Sequence, residues 1–89
     1  MRITTSLNYA TDPRTAAAQA RELEAAGVDC IWIPEAYGFD GVSLLGYLAS
    51  ATTTVGLASG ILNTYSRTPA CIAQTAAGLD ALSEGRFTL

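Results

Sequence analysis

The spacing of hydrophobic positions changes several times along the chain, and each change marks an element. Ile3, Thr5 and Leu7 alternate with Arg2, Thr4 and Ser6, a period of two that predicts a first strand closed by "NYATDP". Asp12 suits an N-cap and Pro13 the first helical position, where its missing N–H would be unpaired anyway. Alanine-rich "RTAAAQARELEAAG" then predicts a helix ending at Gly27, a glycine in the position that follows a helix C-cap. Its expected inner stripe is Ala16, Ala20, Leu23 and Gly27, with Arg21, Glu22 and Glu24 solvated. Cys30 to Ile33 is apolar on successive residues, as in a parallel strand covered on both faces.

A second helix is expected over about Gly41 to Thr52, with Val42, Leu45, Leu48, Ala49 and Thr52 on one side. Strand three follows as Thr53 to Ile61. Thr68 and Pro69 repeat the cap-then-proline device before a third helix reaching about Leu82, with Ile72, Ala76 and Leu79 inward. "SEGR" turns the chain into "FTL", the start of a fourth strand. The order β-α-β-α-β-α-β predicts a parallel α/β fold. A sheet cut where the sequence stops, at Leu89, would expose a strand edge, so the expectation is the N-terminal portion of something larger.

Composition narrows the function classes. A hydrophobic fraction of 49% with only 15% charged residues excludes a disordered chain. Five arginines against eight acids give a net charge of -3, which argues against phosphate-backbone partners, so no nucleic acid is expected. No segment reaches the roughly 20 apolar residues of a membrane span or resembles a signal peptide, and a cytoplasmic location is expected. Cys30 and Cys71 stand far apart without a CxxC pair, and are expected to be buried apolar thiols. The chain has no histidine, which excludes a Ser-His-Asp or Cys-His nucleophile within it. No metal site is expected.

In parallel α/β folds ligands sit at the carboxyl ends of strands, so "LNYATD", "PEAYGFDG" and "SGILNTYSRTP" would share one rim. Glu35, an acid where an apolar strand ends, is either a turn carboxylate or a site residue. Tyr37 and Phe39 read as packing residues, and Asp40 as the N-cap of helix two. "GVSLLG" lacks the lysine of a phosphate loop, and no GxGxxG occurs. Gly56 and Gly60 would weaken strand three unless the backbone bulges there, with or without a ligand against it. Arg67 beside helix three could favour an anion, though a surface arginine is the simpler reading.

The stretch from "IWIPEAYGFD" through "RTPACIAQTAAGLDALSEGRF" resembles the N-terminal part of the bacterial-luciferase-like monooxygenase and deazaflavin-dependent reductase superfamily. The branch it resembles most is that of methylenetetrahydromethanopterin reductase, which uses the deazaflavin coenzyme F420. The resemblance covers nearly the whole chain and implies a (β/α)8 TIM barrel of roughly 250 residues or more. Residues 1–89 would form a partial barrel domain: strands one to three with their helices and the start of strand four. It further implies F420 or FMN at the carboxyl end of the barrel and a non-prolyl cis peptide in a strand-three bulge, here Gly60-Ile61, against the ring. Glu35 falls where relatives carry an acid often followed by histidine, which Ala36 replaces here. Ser59 and Asn63 fall where relatives contact the ring or its side chain. The implied cofactor-binding set is therefore Glu35, Ser59, Gly60, Ile61 and Asn63.

The resemblance makes the parent protein a flavin- or deazaflavin-dependent oxidoreductase, either transferring hydride or acting as a flavoprotein monooxygenase on a small organic molecule, and a homo-oligomer. The alternative is a non-catalytic fragment that folds only by self-association or with a missing remainder; the isolated chain is expected to be inactive. A flavodoxin-like domain ranks last, because the phosphate loop is missing.

Overall fold

Every predicted strand and helix is present in the computed structural model, which describes residues 1–7 and 12–89. The strands are β1 (Thr4–Ser6), β2 (Cys30–Pro34), β3 (Gly56–Ile61) and β4 (Phe87–Thr88). The helices are α1 (Ala16–Ala25, entered through a 3-10 turn at Pro13–Thr15), α2 (Gly41–Ala51) and α3 (Pro69–Leu82). All strand pairs are parallel, and the sheet order is β1-β2-β3-β4. A doubly wound sheet reverses its strand order at a switch point, and this one advances by one neighbour each time. That winding is the barrel type and removes the flavodoxin-like reading.

Successive crossovers of one hand lay all the helices on one side of the sheet. Ile31, Ile33 and Leu57 are buried beneath them with Leu45 and Leu48 of α2. Burying each such side chain contributes about 1.5–3 kcal/mol. Ala16 and Ala20, fully buried, let α1 lie close to the sheet, and Leu79 anchors α3. The opposite face carries the register row Ser6, Trp32, Ala58 and Thr88. No described element covers it, and Trp32 stays 38% exposed. Within these residues strand β2 is covered on its helix-facing side alone.

Cap chemistry sets the helix starts. Asp12, Asp40 and Thr68 accept the N–H groups of Arg14, Ser43 and Cys71, and proline follows the cap before the 3-10 turn and α3. Gly27 takes φ +89 after α1, the left-handed conformation expected there, but it stands exposed and not on the inner stripe. Residues 8–11, in the expected loop after β1, lie outside the described residues.

Three further expectations change. Strand three begins at Gly56, because the N–H groups of Thr53, Thr54 and Val55 turn instead to Glu24 Oε1. Glu24 is thus a staple between α1 and the base of β3, not a solvated helix residue. Cys71 is exposed on the outer side of α3 and Cys30 half-buried on the open sheet face, so neither is a core thiol.

Candidate functional site at the ends of β2 and β3

Pro34 ends β2 because it has no N–H to extend the ladder. At the same level β3 carries one extra residue: Ile33 pairs with Ser59, Pro34 with Ile61, and Gly60 is the bulge between them. A Cβ on Gly60 would lie 2.7 Å from Trp32 Cε3 and 3.2 Å from Pro34 N. Glycine is therefore required at this position by the indole and backbone of β2. The sequence pattern had pointed to the bulge, not to that cause. No cis peptide occurs among the described residues, so Gly60-Ile61 is trans, contrary to the resemblance. The bulge takes up the extra residue in the trans form, with Glu35 N–H donating to Ile61 O at 3.1 Å.

The polar residues of both loops then converge on Glu35. Its Oε1 accepts from Asn63 N (3.1 Å) and Arg67 Nη1 (2.6 Å), and its Oε2 from Gly41 N (2.7 Å) and Arg67 Nη2 (2.7 Å). Arg67 Nη2 also meets Asp40 Oδ1 at 2.5 Å. Side chains of Glu35 and Arg67 are only 11% and 12% exposed, so this fork-to-fork pair is shielded from water. Hydrogen bonding to Arg67 is the main force lowering the Glu35 carboxyl; burial opposes it, and the N–H groups of Gly41 and Asn63 help bring it to about 2. The same pairing pushes the Arg67 guanidinium up from its ordinary value. Asp40 caps α2 through Oδ2 while its other oxygen binds Arg67.

Glu35 and Asp40 are legible along the chain, and their partner is not. Arg67 is not a surface arginine, and its charge is already answered by two carboxylates within the protein. Glu35, at the end of another strand, was the available signal: an acid and a base on neighbouring loops of one rim.

Beside this network lies an open cavity of about 440 Å³, lined by Glu35, Tyr37, Ile61, Leu62, Asn63 and Tyr65 among others. A volume of this order suits a small organic ligand. Tyr37 and Tyr65 stand fully exposed at its edge and Ile61 is 60% exposed, so apolar area is present for a ligand to cover. Tyr37 holds φ 58, a left-handed conformation that costs about 1 kcal/mol, and it is no packing residue in this chain. Asn63 accepts Tyr65 N through Oδ1 at 2.8 Å, fixing the loop at an Asx turn. Of the five predicted residues, Glu35, Ile61 and Asn63 line the cavity. Ser59 and Gly60 lie just below it on β3, Ser59 half-buried beside Ile33. Among the described residues no cluster could hold a metal ion, and no helix is long and apolar enough to cross a membrane.

Known proteins share this architecture. The profile of the luciferase-like monooxygenase family matches residues 1–89. A Mycobacterium tuberculosis protein assigned as a coenzyme F420-dependent oxidoreductase is 34% identical over the whole chain, which spans 26% of that protein. The structure of coenzyme F420 dependent tetrahydromethanopterin reductase from Methanopyrus kandleri superposes with a TM-score of 0.89 at 29% identity, over 97% of this chain and 25% of that one. The chain thus spans about a quarter of the length of the relatives it matches.

Proposed function

This chain belongs to the luciferase-like monooxygenase family, and we propose that it supplies part of the cofactor rim of an F420- or FMN-dependent, cytoplasmic oxidoreductase acting on a small organic molecule. The observation that carries this reading is the cavity at the carboxyl ends of β2 and β3, next to the Gly60 bulge. F420 is the preferred cofactor, because both the M. tuberculosis and the M. kandleri relatives are named for it.

The residues present fit a flat ring. The Ile61 side chain, 60% exposed beside the cavity, offers an apolar face just past the Gly60 bulge. Asn63 and Ser59 provide the polar atoms nearby. When bound, such a cofactor supplies the hydride chemistry, and the protein supplies binding and geometry. Within this chain Ile61 and Leu62 give the rim its apolar surface, and Asn63 fixes the loop through its Asx turn. It offers no imidazole for proton transfer, since Ala36 follows Glu35 and histidine is absent.

Titration of F420 and of FMN against the protein encoded by the complete reading frame containing this chain tests the reading. Saturable binding of F420, tighter than FMN, is expected. Binding of neither would overturn it.

A further inference from the structure

We propose that Glu35 and Arg67 act as a positioning pair that clamps segment 60–63 in shape at the rim, and that Glu35 serves neither as a proton donor nor as a direct ring ligand. The inference rests on the cofactor reading above for its consequence, but its geometry stands independently.

Residue Glu35 holds the segment at two points: its main-chain N–H donates to Ile61 O, and its Oε1 accepts Asn63 N. Arg67 adds a third, with Nη1 donating to Asn63 O at 3.4 Å. Both the N–H and the C=O of Asn63 are thereby taken up within the protein. The carboxylate is fully occupied by four donors, two per oxygen, and each of the four terminal N–H groups of Arg67 has an acceptor. A carboxylate so engaged has no lone pair left for a ligand without losing a partner. With a proton affinity this low it also carries no proton to give at neutral pH. The cluster of one arginine with Glu35 and Asp40 sums to a charge of 1 − 2 = −1, which argues against Arg67 as an anion site. What remains for the pair is mechanical: it joins the loop after β2 to the loop after β3 and fixes the bulge from outside.

The test compares wild type, Glu35→Gln, Arg67→Met and the double variant in the protein from the complete reading frame. Amide hydrogen exchange at Asn63 and Gly41 is expected to quicken at least about tenfold in Arg67→Met, while Thr54 and Val55, held by Glu24 at the other end of β3, keep their rates. F420 affinity should fall at least about tenfold in each single variant, with kcat at saturating cofactor within about threefold of wild type. The double variant should be no weaker than the worse single one, since each change breaks the same clamp. Unchanged exchange at Asn63 and Gly41 would overturn the clamp. Loss of kcat in Glu35→Gln at unchanged affinity would instead make Glu35 an acid. If wild type binds neither cofactor, the proposed function fails, and the exchange rates still decide whether the pair holds the segment.

Discussion

The two ends of the β2–β3 layer use the same device in different surroundings. At the lower end, where β3 begins, Glu24 accepts the N–H groups of Thr53, Thr54 and Val55. At the upper end, where β3 finishes, Glu35 accepts those of Gly41 and Asn63. Both carboxyls are held at about 2. For Glu24 burial pushes upward and the N–H groups outweigh it; for Glu35 the guanidinium of Arg67 leads. Each end also has its arginine. Among the described residues Arg86, below, donates only to neutral oxygens: Ser83 O, Thr52 Oγ1, Val55 O, Ala49 O and Thr52 O. Arg67, above, faces two carboxylates beside an open cavity edged by exposed tyrosines. A perturbed carboxyl therefore does not by itself mark a site. The bulge and the uncovered apolar area distinguish the upper end, as the division of labour in (β/α)8 folds leads one to expect.

The largest effect is expected at the lower end. Arg86→Met removes the partners of several carbonyls that end α2 and precede β3, and should lower the unfolding free energy by about 3 kcal/mol, read by urea titration. F420 affinity of the folded protein should not change. Gly60→Ala comes next. Its Cβ would press on Trp32, so the indole must shift, with a cost of about 2 kcal/mol and a displaced tryptophan emission. That variant should also weaken F420, because it deforms the upper end.

Much of this contrast was legible in the sequence, and the reasons for the rest are physical. Cap residues, prolines and the period of apolar positions located every strand and helix, since those cues act over a few neighbouring residues. The bulge was visible as glycine in an apolar run. What stayed hidden depends on distant partners. Glu24 looked solvated because its acceptors' partners lie about thirty residues on, beyond any helical period. Arg67 looked like a surface cation because Glu35 meets it only after β2 and β3 pair. Which face of "CIWI" meets the helices was hidden for another reason: it is apolar on both, and only the placement of all helices on one side tells them apart.

Acid titration addresses both carboxyls at once, with a smaller effect. A depressed carboxyl contributes its stability in full above its ordinary value of 4.5 and loses it as pH falls to about 2. Thermal melts should therefore drop across that window. Glu24→Gln should flatten part of the drop and cost about 1 kcal/mol at pH 7. The least effect is expected for Asp40→Asn, which keeps an N-cap acceptor for Ser43 but loses one half-exposed ion pair, for about 0.5 kcal/mol by calorimetry.

The most direct test of the division between the two ends is one equilibrium titration of F420 against wild type, Arg67→Met and Glu24→Gln in the protein from the complete reading frame. Arg67→Met should lose about tenfold or more in affinity while Glu24→Gln binds as wild type does. Equal losses in both variants, or unchanged binding in Arg67→Met, would contradict that division.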